Sequence, residues 1–410
     1  MAVSSRLDRI LSVNLEAGLV TVEAGVSLDQ LMRAVAPLGY WPPVSPGTRH
    51  VTVGGAIASD VHGKGHHRDG TFGTHVPSID LVAPGPGPLT ITPEGSPDEF
   101  WATTGGMGLT GLIHRATLEL LPIETSSVRV DSERTPDLDA TLRVMSERDR
   151  DYRYSVAWID CLARGSALGR SIVEFGEHAR LDELPAGRRS RARALRFAPR
   201  DSLPAPPWVP SGLLNRATVA AFNELWYRKA PARREGHIVA AAQFFHPLDA
   251  VDGWNRIYGR RGFLQYQFVL PDGEEATLRK IIEELVNHRC ASFLAVLKRF
   301  GPANPGPLSF PRPGWTLALD LPVSFSGVAR LLDETDELVA TAGGRVYLAK
   351  DSRLRPELLE VMYPELPRWR KVRERLDPDR RLQSDLLRRL PALADPTQAP
   401  ARPARAGRQP

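Results

Sequence analysis

Residues 46–64 constrain what this chain can fold into more than any other stretch. Glycines 47, 54, 55 and 63 let the backbone turn sharply and bring its N–H groups close to a ligand. Ala56, Ala58 and Ser59 keep side chains out of the way, so a flat or phosphorylated cofactor can lie against the main chain. His62 and Lys64 then place an imidazole and an ammonium beside whatever is held there. The run reads as a loop–turn–loop cradle. A plain glycine-rich connection between strands is the bland alternative, and an isolated Gly-Gly would favour it. The density of small and polar residues favours the cradle.

The flanking sequence reads as α+β. Residues 19–25 alternate apolar and polar, as a half-buried strand does. Residues 27–35 shift to helical spacing, with Ser27 as N-cap. Strand signals recur at 78–83, 89–92 and 109–121, and a short helix opened by Asp98 breaks at Gly105 and Gly106. These elements form a first unit, 1–125. Strands at 152–160, 171–175, 262–271, 315–322 and 346–349 alternate with helices at 274–288, 326–342, 356–362 and 368–376. They predict an antiparallel sheet flanked by helices: a substrate unit over 126–345, then a C-terminal segment over 346–390 returning to the cradle. A basic, proline-rich loop interrupts it at 186–216. A solvated surface loop is the plainer reading there, and a lipid-facing flap using Trp208, Val209, Leu213 and Leu214 is the sharper one. The Pro/Ala/Arg tail, 391–410, reads as disordered.

At 410 residues there is room for two cores. No apolar run reaches the length of a membrane span, and the first residues lack the apolar core of a secretory signal. Cys161 and Cys290 cannot build a disulfide framework and are spaced too widely for a metal site, so both read as buried thiols, a single bridge between them being the alternative. The net charge of +5 favours an anionic partner, a phosphate-bearing lipid or a membrane surface. No nucleic-acid-binding motif accompanies it.

Residues 52–64 resemble the flavin-binding core of the decaprenylphosphoryl-β-D-ribose 2′-oxidase family, vanillyl-alcohol-oxidase-like flavoproteins. The likeness continues through 101–111, 262–268, 307–311 and 343–353, in the same order from about residue 8 to about 389. It implies a two-domain FAD-linked oxidase with a PCMH-type FAD-binding domain and non-covalent FAD between the domains. Gly47, Thr52, Val53, Gly54, Gly55, Ser59, Asp60, Val61, His62, Ile113 and Tyr347 match its flavin-contacting positions. The implied reaction oxidises the 2′-hydroxyl of a polyprenylphosphoryl-β-D-ribose to a ketone for cell-wall arabinan synthesis. An NAD(P)H-dependent short-chain reductase partner, a quinone acceptor and a peripheral membrane contact go with it. So does a place on the periplasmic side of the inner membrane, the cytoplasm being the alternative.

Lys350 is the expected catalytic residue, because hydride cannot leave a secondary alcohol unless the hydroxyl proton leaves too. Strand alternation would put Leu348 and Lys350 on one face. His62 is expected to orient flavin or substrate. Gln265 and Gln267 share a strand face and could hold sugar hydroxyls or simply face solvent. Lys298 matches a pocket position, and Lys64 is either a phosphate ligand or a surface lysine. Two features depart from the family. Ala318 stands where the mycobacterial enzyme carries the cysteine trapped by nitroaromatic inhibitors, so no such adduct can form here. The family also carries about a hundred further N-terminal residues, including a turn that cradles the flavin pyrophosphate. A start placed too late explains their lack, or the chain is a fragment. The rival readings are a sugar-lactone or alditol oxidase, whose His-Trp-x-Lys motif is missing, and a flavin-free remnant acting as a binding module.

Overall fold

The computed structural model describes residues 6–199, 203–204, 215–288, 292, 294–323 and 327–395. Among them two antiparallel sheets organise the chain. The first has five strands: β1 (Ile10–Asn14), β2 (Leu19–Glu23), β3 (Ser78–Ala83), β4 (Gly87–Ile91) and β5 (Leu112–Glu119), in the order β1-β2-β5-β3-β4. Helix α1 (Leu28–Val35) begins at Ser27, whose hydroxyl accepts from Gln30 N–H while the Gln30 side chain accepts from the Ser27 N–H. Its Leu28, Leu31, Met32 and Val35, spaced for one helical face, are all buried.

The second sheet has eight strands. They are β6 (Ser127–Thr135), β7 (Tyr154–Ile159), β8 (Ser171–His178), β9 (Arg233–Ala240), β10 (Phe263–Pro271), β11 (Ala295–Phe300), β12 (Gly314–Pro322) and β13 (Arg345–Val346), ordered β9-β6-β8-β7-β11-β12-β10-β13. One face packs on helices at Leu138–Arg148, Glu275–Asn287 and Val328–Thr341. Leu317, Leu319 and Leu321 of β12 meet Phe268 and Leu270 of β10 and Ile281, Ile282 and Leu331 of the helices in that core. The other face carries Gln265 and Gln267, with Thr316, Ala318 and Asp320 aligned beside them by register. Lys298 lies opposite Thr316 and Val296 opposite Ala318. This alternation assigns the polar set to the face turned towards residues 59–67 of the first unit.

Several expectations need correcting. Residues 53–58 are not a loop: Val53–Ala58 is a short helix, α2, capped by Thr52, whose Oγ1 accepts from Gly55 N–H at 3.2 Å. The strand expected at 346–349 ends at Val346, and Leu348–Lys350 is a 3-10 turn, so Leu348 and Lys350 do not alternate on a strand. The basic loop is partly built into the protein, since Ala194, Leu195 and Phe197 are buried. Trp208, Val209, Leu213 and Leu214 lie outside the described residues, as does Cys290. Residues 391–395 of the expected disordered tail are ordered: Pro391–Leu393 is a 3-10 turn with Ala392 and Leu393 buried. Strands β6, β9 and β11 and the helices Leu138–Arg148 and Arg216–Lys229 went unread in the sequence.

Gly54 sits where α2 crosses β2. Its N–H donates to Ala24 O at 2.8 Å, and a Cβ there would lie 2.9 Å from Ala24 Cβ. Gly54→Leu is therefore expected to cost about 1–3 kcal/mol through overpacking, read as a lower denaturation midpoint in urea. A second contact between the units is an aromatic box. His178 of β8 packs against Trp41 at 5.7 Å, Tyr154 at 5.8 Å and Phe245 at 6.0 Å between ring centroids. Burial lowers the His178 pKa to about 3. Its folded pKa thus lies below the unfolded value near 6.5, so its contribution to stability is present above about pH 6.5 and is lost as pH falls towards about 3. His178→Phe should melt near the parent at pH 8 and become progressively more stable than it on acidification. A constant difference in melting temperature across that range would contradict this.

Candidate active site

The site lies on the seam where residues 59–67 meet the polar face of the large sheet. His62 leaves the end of α2 and is buried among Phe300, Phe310 and Tyr347, with ring centroids 4.8, 5.5 and 5.2 Å away. Its Nε2 lies 2.9 Å from Gln267 Nε2, and Gln267 also donates to Thr316 Oγ1 at 3.0 Å. Burial, then the charges of Lys298 and Lys350, hold the His62 pKa well below its ordinary value. The ring is therefore neutral: Nε2 accepts from the amide, and the proton sits on Nδ1. That Nδ1 is buried without a hydrogen-bond partner, as is Gln267 Oε1. Buried polar atoms are almost always paired in folded proteins, so these two point to a polar ligand at the seam.

Lys350 enters from the 3-10 turn that follows β13. Tyr347, at the start of that turn, fixes it by donating its hydroxyl to Ser59 O at 2.8 Å and stacking on Phe310 at 4.7 Å. Burial lowers the Lys350 pKa, and the nearby charge of Asp320 opposes that shift. Lys298 is pushed down to about 7, by burial first and then by the charges of Lys350 and Lys64. Asp320 is pushed up to about 6 by burial, against a hydrogen bond from Gln265 and the charge of Lys350. Lysines 64, 298 and 350, His62 and Asp320 thus form one electrostatic group. Expected from sequence to lie beside the 52–62 segment, Lys350 acts on His62 across the seam.

The remaining expected residues take different places. Lys64 is not a surface lysine: its Nζ donates to Phe244 O at 2.6 Å and lies 4.0 Å over the Phe244 ring. Asp60 is fully buried with φ +42°, a left-handed backbone that aspartate tolerates. Its carboxylate accepts from Gly73 N–H at 3.1 Å, Asn304 Nδ2 at 2.7 Å and Ser309 Oγ at 2.6 Å. That carboxylate clasps two segments together. Val53 and Val61 are buried in the core, Ile113 packs at its edge on β5, and Gly47 sits in an exposed loop. The glycine N–H groups expected to reach a ligand have partners within the chain: Gly54 donates to Ala24 O and Gly55 to Thr52 Oγ1. Gly55 is exposed and Ala58 and Ser59 half-buried, so α2 still presents a shallow, side-chain-poor surface.

These residues fit the ring-bearing half of FAD. The seam offers unpaired Nδ1 and Oε1 atoms, an amine of lowered pKa at residue 350 and a surface free of bulky side chains. His62, Ser59, Tyr347 and Lys350 would hold the ring edge. Asp320 and Phe300 were not singled out in the sequence as site residues. Asp320 was findable, because it lies two residues beyond Ala318 on the same strand and so shares its face.

A family model for an FAD binding domain matches residues 1–89, and one for D-arabinono-1,4-lactone oxidase matches residues 322–390. Together with the two sheets and their seam, the matches define an FAD-linked oxidase. The decaprenylphosphoryl-β-D-ribose oxidase of Mycolicibacterium smegmatis is 45% identical over 389 residues, covering 94% of this chain and 84% of the relative. An uncharacterized protein in the mprA 5′ region of Streptomyces coelicolor is 42% identical over 376 residues, 89% of this chain and 100% of that relative. The probable L-gulonolactone oxidase 4 of Arabidopsis thaliana is 32% identical over 124 residues, 28% of this chain and 22% of its own. The chain belongs to the decaprenylphosphoryl-β-D-ribose oxidase family of FAD-dependent oxidoreductases.

Proposed function

We propose that the chain oxidises the 2′-hydroxyl of a polyprenylphosphoryl-β-D-ribose to the 2′-keto sugar. The observation that carries this reading is the Lys350 amine, half-buried with a lowered pKa beside Asp320 and facing His62 across the seam. FAD, when bound, supplies the hydride acceptor. Lys350 takes the hydroxyl proton as the C–H bond breaks or holds the developing alkoxide. Neutral His62 donates from Nδ1 and keeps the ring edge oriented. Lys298 supplies positive charge for the sugar phosphate, and Gln265, exposed at the rim, meets ring hydroxyls. A quinone would reoxidise the protein, and a short-chain reductase using NAD(P)H would consume the ketone. A peripheral contact with the membrane would bring the lipid substrate to the site; among the described residues no helix is long and apolar enough to cross a membrane.

The match to D-arabinono-1,4-lactone oxidase at 322–390 makes a lactone the comparison substrate. The test is anaerobic mixing of the flavin-loaded protein with a short-chain prenylphosphoryl-β-D-ribose or with D-arabinono-1,4-lactone. Loss of flavin absorbance with the sugar phosphate alone is expected. Reduction by the lactone alone would transfer the chain to the rival activity, and purified protein that takes up no flavin would mark the binding-module reading.

A further inference from the structure

Asp320 is 4% exposed, and one of its oxygens, Oδ1, accepts from Gln265 Nε2 at 3.1 Å. The other, Oδ2, is buried without a partner. A second orphan lies within reach of its charge: the hydroxyl of Tyr258, on the 3-10 turn Trp254–Tyr258, is also buried and unpaired, and the Asp320 charge acts on it. Tyr258 is held there by stacking on Phe263 at 4.3 Å, with Trp254 packed on Phe263 at 5.3 Å. Neither the Lys350 proton transfer nor the flavin contacts use either atom. Two buried oxygens without partners, one on the carboxylate that acts on the Lys350 amine and one within the field of that carboxylate, are costly unless a polar group meets them.

We infer that Asp320 Oδ2 and the Tyr258 hydroxyl bind the ring hydroxyl next to the one being oxidised, so that the site recognises a vicinal diol. This rests on the reading of function given above. One hydroxyl of the pair meets the Lys350 amine. Its neighbour donates to Asp320 Oδ2 and accepts from the Tyr258 O–H, which matches the donor and acceptor capacity of a hydroxyl. Gln265 occupies the other carboxylate oxygen and keeps Oδ2 aimed inward. The groups facing this carboxylate are Lys350 from the turn after β13, Gln265 from β10 and Tyr258 from its own turn, with Lys298 further along the sheet face on β11. The acceptor must be ionised, and burial has raised its pKa to about 6. Recognition is therefore complete above that pH and fades as pH falls through it.

The experiment compares flavin reduction by a prenylphosphoryl-β-D-ribose and by its analogue deoxygenated at the neighbouring carbon. It uses the parent chain, Asp320→Asn and Tyr258→Phe. Deoxygenation is expected to lower kcat/KM of the parent roughly 10- to 100-fold, the range for a hydrogen bond to a charged group. Most of the loss should fall in KM. Asp320→Asn should lose that discrimination and its pH dependence near 6, and Tyr258→Phe should lose part of it. Equal losses on deoxygenation in all three proteins would overturn the inference alone. No reduction of the parent by the intact sugar would overturn the functional reading and this inference with it. If Asp320→Asn fails to fold, Tyr258→Phe decides: unchanged discrimination overturns the inference.

Discussion

Lys350→Met is expected to slow flavin reduction by the sugar substrate about 100- to 10,000-fold, the range for loss of a positioned general base. Methionine keeps the length of the side chain and its packing against the seam while removing the proton acceptor. Bound flavin should be retained, because Tyr347 still anchors the turn through Ser59 O and the Phe310 stack. The parent should also show a rate that rises with pH through the lowered amine pKa, since only the neutral amine accepts a proton. The variant should be flat over that range. A loss below tenfold in stopped-flow reduction, with flavin content intact, would remove Lys350 from the chemistry.

Asp60→Ala should give the largest loss of stability. The carboxylate is fully buried and satisfies the Gly73 N–H, the Asn304 amide and the Ser309 hydroxyl. Alanine leaves all three donors without it, and each unpaired buried group costs about 1–3 kcal/mol. Asn304 retains a second acceptor in Thr71 Oγ1 at 2.8 Å, so the sum is not fully additive. A total of about 3 kcal/mol or more is the expectation. The residues 304–309 that it anchors lead to Phe310, which packs on His62 and Tyr347, so flavin retention should fall with stability. Asp60→Asn keeps one acceptor oxygen and should lose less. Calorimetry of the three proteins is the check, and a parent-like melt for Asp60→Ala would refute the clasp.

Much of the secondary structure was legible where one face is buried. The alternation at 19–25 and the capping signal at Ser27 are local patterns, and β2 and α1 appear where they predict. Strand β6 and the edge strand β9 were not read. In β9, residues 233–240 are exposed or half-buried, so the sequence there carries little apolar alternation. The 53–58 run was misread because two adjacent glycines look like a loop. Thr52 caps the helix, and tight packing on Ala24 makes glycine necessary at 54.

The candidate site divides the same way. Residue chemistry and order along the chain marked 52–64, Gln265, Gln267, Lys298 and Lys350, and strand periodicity put the two glutamines on one face. The chain's own pattern of residues therefore determined the α+β class, the side-chain inventory of the site and the family likeness, all of which follow from local spacing and identity. Tertiary structure alone decided which of those groups meet. It turned Asp60 into a clasp, tied up Lys64 on Phe244, and put Asp320 within reach of both Lys350 and Tyr258. Contacts such as Gln265 to Asp320, 55 positions apart, and Tyr347 to Ser59, 288 apart, arise from sheet register and domain packing, and neither is encoded in a local run of side chains.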